Sequence, residues 1–550
     1  MFPSKLNSLT QTPLTTNTFD RIESPASDSA GSLLRVSFWS YWRWWLPPAV
    51  ISLLLVLYFV DPFIGDWDGM DYTLLSLVGY PSSMALGRNL FIFGNHALFR
   101  IAASLFHLPP ENAYLLFKYT VVAQAPFAVV ASWALSHRLT HSVFTATLAA
   151  LLVTFSPVFV LYGGQVMTDV PSFLLLVVAL LVHLHGVEKR RFWLVLLGAA
   201  LMGLGVNLRE TIAFYVPWLV LGPFVCGWKP GKREIAYVAA SLALFLLFAV
   251  GWFGYWFITD SYYRWVWHGW RESMRQESAR HPVTLANLRP YVTYFFISAP
   301  LVFITLFFAP FREWRTKRMS PLLMLWLTGL FANLLLFFNY STTVNWRYFL
   351  TGLPGLVPLG AQSLLQLLER WTGTTRRAFT VCTMVLVTLA IVFAIYARPV
   401  NYEFIQRRAM SKGYRERLRN VPQDAVMISG AQTIAVIYWA AIGAGQWKTI
   451  GTGGGWPGDQ LFSTVQNYLL EGRRVYLDAD PRWWLPCGWQ RDEIPTIVEL
   501  EKHFNFRRVT DTIYELRPLW DMSAADKPNL QRLLPENRPE DTKKCAVTKS

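Results

Sequence analysis

The chain has 550 residues, 53% of them hydrophobic and 16% aromatic, with only 15% charged and a mean hydropathy of +0.29. Soluble domains carry roughly 25% charged residues, so an ordinary cytosolic enzyme is excluded. The net charge of +15 would suggest nucleic acid on a soluble protein, but on a membrane protein it sorts by loop, and no nucleic-acid partner is expected.

Residues 1–37 are rich in Ser, Thr, Pro and Asn, lack the charged-then-apolar pattern of a cleaved signal peptide, and read as a disordered cytoplasmic tail. The cluster Phe38-Trp39-Ser40-Tyr41-Trp42-Arg43-Trp44-Trp45 then leads into the first apolar run, with aromatic and basic groups of the headgroup type. A spanning helix needs about 20 mostly apolar residues. Such runs fall near residues 46–60, 114–135, 142–161, 169–187, 192–207, 211–227, 236–258, 291–310, 321–339, 347–368 and 378–397. About eleven spans are therefore expected, in a membrane part covering 38–398.

Alternate connections are basic: Arg138; Lys189, Arg190 and Arg191; Lys229, Lys232 and Arg233; Arg312, Arg315, Lys317 and Arg318; Arg370, Arg376 and Arg377. The positive-inside rule puts these in the cytoplasm together with the N-terminus, and puts the chain after residue 398 outside. The stretch from Gly87 to Leu108 is apolar but carries Arg88, Asn95, His96, Arg100 and His107. Counted as a span it would turn all five basic connections outward, so it is assigned to an interfacial helix in the first outer loop, 61–113.

Residues 399–550 have the charge density of a globular domain and strand-like runs such as Ala425-Val426-Met427-Ile428-Ser429 and Arg474-Val475-Tyr476-Leu477, which points to an extracytoplasmic α/β domain. Its Gly451-Thr452-Gly453-Gly454-Gly455 run lacks the spacing of a nucleotide fingerprint. Cys487 and Cys545 lie in this part, where a bridge is one option; Cys226 and Cys382 fall in or beside apolar spans.

The densest acidic cluster follows the first span: Asp61-Pro62-Phe63-Ile64-Gly65-Asp66-Trp67-Asp68-Gly69-Met70-Asp71-Tyr72. A partly desolvated carboxylate here can act as a general base on an acceptor hydroxyl. Helix capping by Asp68, with Asp71 in the first turn, is the local alternative. A second acid, Asp169, lies in Met167-Thr168-Asp169-Val170-Pro171, which is also a good helix start. The topology brings it to the same face as Asp66 and Asp68.

Cations on that face are few. Arg209 lies in the Asn207-Leu208-Arg209-Glu210-Thr211 turn and Arg347 in Asn345-Trp346-Arg347-Tyr348, and both fit either a phosphate site or snorkelling to headgroups. In the outer loop 259–290, Arg264, His268, Arg271 and Arg275 share one face of a helix, with Trp265, Trp267 and Trp270 off it. That is an interfacial helix with Trp for the membrane and cations for phosphate, either as a specific site or as an anchor to anionic lipid.

Acidic first outer loop, second acid before an early span, Arg-Tyr leading a late span and an outer C-terminal domain together resemble the GT-C superfamily of membrane glycosyltransferases. The nearest likeness is to the protein O-mannosyltransferase and aminoarabinose (lipid A) transferase branch, over roughly residues 40–400. The resemblance matches Trp67-Asp68-Gly69-Met70-Asp71-Tyr72 to that branch's Asp-Glu motif and so implies Asp68 as the catalytic acid; Gly69 replaces the Glu, which keeps Asp66 in contention. Met167-Thr168-Asp169 resembles the second acidic motif, and Arg347-Tyr348 the Arg-Tyr motif whose cation faces the lipid phosphate.

The resemblance implies a polyprenyl-phosphate sugar donor, inversion at the anomeric carbon, and a glycan, lipid or protein acceptor. Cations at the phosphate would stabilise the leaving group, a role open to Arg347, Tyr348 beside it, Arg209, Arg264, His268 and Arg271. No His-x-Glu or Cys-x-x-Cys spacing suggests a metal, so no cofactor is expected, although Asp66, Asp68 and Asp169 together are a conceivable divalent-cation set. Two other readings stay open: a secondary transporter or lipid flippase, and a non-catalytic membrane subunit. Transporters favour midplane sites and internal repeats, whereas these acids lie at span ends and no repeat is visible.

Overall fold

In the computed structural model, the described residues are 40–60, 67–280, 282–310, 319–339, 345–430, 433–450, 458–484, 493–523 and 526–539. The N-terminal tail, Asp61, Asp66, the Gly451–Gly455 run, Cys487 and Cys545 lie outside them. The chain divides into two compact units, Met1–Arg43 and Trp44–Ser550, and the packing of helices and sheet is that of the second.

Among its described residues the membrane part is built of helices and the loops between them. Its helices are α1 (Trp42–Tyr58), α2 (Trp67–Val78), α3 (Asn89–Phe106), α4 (Ala113–Thr140), α5 (Val143–Thr154), α6 (Pro157–Gly163), α7 (Asp169–Glu188), α8 (Phe192–Val206), α9 (Val216–Val225), α10 (Lys232–Thr259), α11 (Ser261–Arg280), α12 (Leu288–Ser298), α13 (Pro300–Thr305), α14 (Pro321–Leu336), α15 (Leu353–Thr372) and α16 (Thr375–Leu418). Among the described residues, four helical stretches are long and apolar enough to cross a membrane: Pro110–Thr140, Asp169–Glu188, Lys232–Thr259 and Thr375–Ile395. A fifth crossing results if α5 and α6, bent by 59°, count as one. Trp42–Tyr58, Phe192–Val206, Glu210–Val225 and Pro321–Leu336 are apolar but shorter.

The breaks have local causes, and they prepare the site. Pro157 cannot donate to the helical ladder, so α5 ends and α6 starts in a new direction, with the Ser156 hydroxyl donating to the Ser298 carbonyl at 2.6 Å. Two of the 3-10 helices bear on the site, Glu210–Tyr215 and Trp346–Gly352. The second is held close because α14 and α15 meet at glycines: a Cβ on Gly355 would lie 2.6 Å from the Leu325 carbonyl, and one on Gly329 would lie 2.7 Å from that of Gly352.

The C-terminal part carries β1 (Val426–Ile428), α17 (Thr433–Ala441), β2 (Lys448–Ile450), α18 (Gly458–Leu470), β3 (Val475–Asp478), α19 (Ile494–His503), β4 (Asn505–Arg508) and β5 (Ile513–Arg517). The five strands form one sheet in the order β2-β1-β3-β5-β4. β1 is parallel to both β2 and β3, whereas β5 is antiparallel to β3 and to β4. Val426, Ile428, Val475, Leu477 and Leu516 face a core shared with Leu461, Val465 and Ile497.

Two contacts tie this domain to the bundle. Near the end of α16, Arg417 donates to Asp478 at 2.8 Å, and the Tyr414 hydroxyl donates to the same carboxylate at 2.7 Å. A second buried cluster joins Met70 and Tyr114 to Tyr438, Trp439 and Trp447, with Leu74 and Leu77 packed against it. Met70, Leu74 and Leu77 follow helical spacing, so one face of α2 is covered by the domain. Asp68 and Asp71 lie off that stripe.

Candidate functional site

Asp68 lies in the first turn of α2, and its Oδ2 accepts from Arg347 Nη2 at 2.7 Å. Arg347 belongs to the 3-10 helix Trp346–Gly352, whose N-cap is Asn345: the Asn345 side chain accepts from the Arg347 amide at 3.3 Å and from the Tyr162 hydroxyl at 3.2 Å. A second guanidinium nitrogen, Nη1, reaches Met167 Sδ at 3.5 Å. Asp68 and Arg347 side chains are 21% and 13% exposed, so the pair is less screened than a surface ion pair. Arg347 Nε is buried and has no hydrogen-bond partner among the described residues, so the guanidinium is only partly satisfied.

Asp169 and Arg209 form a second ion pair, with side chains only 1% and 3% exposed. Asp169 is the first residue of α7, but the N-cap Thr168 makes no side-chain cap bond, and the carboxylate goes to Arg209. Helix capping therefore does not account for this acid. Asp169 Oδ2 and Arg209 Nε remain without partners among the described residues, beside a small pocket also lined by Ser172, Phe173, Leu350 and Thr351. The Arg209 guanidinium lies over the ring of Tyr348 at 4.6 Å, and that of Arg347 lies over the same ring at 5.6 Å.

A third pair was not singled out from sequence. Arg88, at φ 49° just before α3, pairs with Glu210 and donates to the Leu208 carbonyl at 3.1 Å. Burial works against ionisation of Glu210, but Arg88 and Arg209 outweigh it and lower its pKa. The signal was present in the sequence: a cation in an apolar stretch needs an acid, and Glu210 adjoins a residue already under suspicion.

Asp71, one turn beyond Asp68, behaves differently from its neighbour. Burial first, and the Asp68 carboxylate second, push its pKa up to about 7. The site thus holds two carboxyl groups in unlike environments, one on an arginine and one near its midpoint of ionisation at neutral pH.

The basic face of α11 lies elsewhere. Arg264, His268 and Arg271 are exposed, and among the described residues none forms an ion pair with the acids above. His268 packs beside Phe257 and Trp267, and Arg271 lies over Trp267 at 5.7 Å. The adjoining side of this helix and the Asp260 before it anchor the loop after α2: Tyr263 donates to the Ser82 carbonyl at 3.1 Å, Trp267 to that of Ala85 at 2.9 Å, and Tyr80 to Asp260 at 2.9 Å. Among the described residues no group of three His, Cys, Asp or Glu side chains is arranged to hold a metal ion.

Comparison with known proteins places this geometry in a class. The family described as dolichyl-phosphate-mannose-protein mannosyltransferase matches residues 97–253. The crystal structure of ArnT from Cupriavidus metallidurans bound to undecaprenyl phosphate superposes with a TM-score of 0.50 at 12% identity, covering 88% of this chain and 100% of that one. The apo oligosaccharyltransferase of Archaeoglobus fulgidus aligns at a TM-score of 0.47 and 12% identity, over 87% of this chain and 75% of its own. No curated protein sequence matches the chain. The protein is a polytopic helical membrane protein with the GT-C fold. It shares its overall fold with the ArnT structure, and residues 97–253 resemble the mannosyltransferase family.

Proposed function

We propose that the protein transfers a sugar, hexosyl or pentosyl, from a polyprenyl-phosphate donor to an acceptor hydroxyl at the extracytoplasmic face, with inversion at the anomeric carbon. The N-terminus is then cytoplasmic and the C-terminal domain extracytoplasmic. Asp68 takes the acceptor proton as the new oxygen–carbon bond forms; the bond from the anomeric carbon to the phosphate oxygen breaks, and its electron pair leaves with the phosphate. A lipid phosphate is a stable leaving group, so no second acid is needed, but its developing charge needs a cation.

The observation that carries this reading is the Asp68–Arg347 contact, which puts a carboxylate and a partly satisfied guanidinium side by side. Arg347 can meet the phosphate through Nε while Nη2 stays near the base. The ArnT structure with undecaprenyl phosphate shares the fold and supports a lipid-phosphate donor. Asp66 stays a competing base on sequence grounds, and Asp71, with its pKa near 7, is a second one. The exposed cations Arg264, His268 and Arg271 suit the membrane surface better than the leaving group.

The test is mass spectrometry of lipid retained by the purified full-length protein, with transfer assayed from that lipid. Recovery of a sugar-bearing polyprenyl phosphate that is consumed on turnover is expected. Protein that neither retains nor binds any polyprenyl phosphate would overturn the proposal.

A further inference from the structure

Asp169 and Arg209 pair with each other in a nearly solvent-free position, which is a poor place for a group that must meet an acceptor hydroxyl or a phosphate. Arg209 lies over the Tyr348 ring, and that ring also carries Arg347. We propose that Asp169 and Arg209 are positioning residues that act through the Tyr348 ring to hold Arg347 at the donor phosphate. This rests on the reading of Asp68 and Arg347 given above and deepens it.

Three observations support the assignment. First, one loop serves both arginines: Met167 Sδ lies 3.5 Å from Arg347, and Asp169, two residues on, pairs with Arg209. Second, the two 3-10 helices that carry Arg209's neighbours and Tyr348 are stapled together. The Thr211 and Thr351 hydroxyls are 2.8 Å apart, the Tyr215 hydroxyl donates to the Thr351 carbonyl at 2.9 Å, and the Gly355 amide donates to Tyr215 at 3.2 Å. Third, two cations over one aromatic ring repel each other unless each has a counter-charge. Here each has one, Asp169 for Arg209 and Asp68 for Arg347.

The physical consequence is a coupling between distant parts of the chain. Remove the Asp169 charge and buried Arg209 loses its ion-pair partner next to the stack, keeping only the field of Glu210, so its repulsion of Arg347 across the ring grows. Remove the ring and the guanidinium of Arg347 loses the surface that fixes its plane. Either change acts on donor binding without touching the reacting atoms.

The test measures binding of a sugar-free polyprenyl phosphate to the purified full-length protein for Tyr348→Phe, Tyr348→Leu, Asp169→Asn and the double variant Asp169→Asn with Tyr348→Leu. Tyr348→Phe should bind within about twofold of wild type, and Tyr348→Leu and Asp169→Asn should each weaken binding about tenfold. The double variant should be no weaker than either single one, since both cut the same link. If Asp169→Asn does not fold, Asp169→Asn with Arg209→Gln removes both charges and should itself weaken binding about tenfold. Equal losses for Phe and Leu at 348, additive losses in the double variant, or wild-type binding by either Asp169 variant overturns the proposal. A wild-type protein that binds no polyprenyl phosphate overturns the underlying functional reading instead.

Discussion

Asp68 and Arg347, separated by 279 positions in the chain, meet at 2.7 Å. One comes from the start of a short helix beyond the first span, the other from a 3-10 turn that opens a late helix. Each offsets part of the cost of burying the other, and in the proposed function the two serve as base and phosphate cation.

Replacing Asp68 with Asn keeps the shape of the side chain and removes its basicity. Sugar transfer from a polyprenyl-phosphate donor should fall by about two to four orders of magnitude, the usual worth of a positioned general base. Polyprenyl-phosphate binding should stay largely intact, because the phosphate cation remains. An Asn variant with full turnover in reconstituted membranes would remove Asp68 from the chemistry and hand the role to Asp71 or Asp66.

Arg347→Lys preserves charge but not the planar fork that spans Asp68 and Met167. Donor affinity should drop by about tenfold for Lys and further for Ala. The check is a titration with polyprenyl phosphate alone; equal affinity for all three proteins would take Arg347 away from the phosphate.

Asp71 sets a pH dependence with a definite sign. Its folded pKa, about 7, is above the ordinary carboxylate value of 3.8. Between these values the unfolded chain has released this proton and the folded one still holds it, so the contribution to stability decreases as pH rises through that window and levels off above about 7. Asp71→Asn should flatten that part of the profile and raise the thermal midpoint at pH 8 relative to wild type. A variant whose midpoint follows the wild-type profile from pH 4 to pH 8 would contradict the shift.

The C-terminal domain bears on α2 through Met70, Leu74 and Leu77. Met70 is 3% exposed, and truncating a buried Met to Ala typically costs about 2–5 kcal/mol. Met70→Ala should reduce transfer more than polyprenyl-phosphate binding, since α2 carries Asp68 but not Arg347. Transfer and binding assays on the same preparation separate the two; equal losses would mean the packing matters only for folding.

Several features were legible along the chain because their causes are local. Apolar runs marked the helical segments, and short motifs such as Trp67–Tyr72 and Arg347-Tyr348 carried the resemblance to the GT-C superfamily. The composition made a membrane protein unavoidable. Each of these depends on residues within a helical turn or two of one another, or on sums over the chain.

Only the tertiary structure decided who pairs with whom. Asp169 and Arg209 read as separate functional candidates in the sequence, yet they close on each other, and Arg88, which looked like an awkward charge in an apolar stretch, belongs to Glu210. Sequence spacing cannot supply such pairings, because an ion pair at a buried position is chosen by helix packing and desolvation, across separations of 40 to 279 residues. The same packing put Tyr348 under both arginines and laid the C-terminal domain against the helix that carries Asp68.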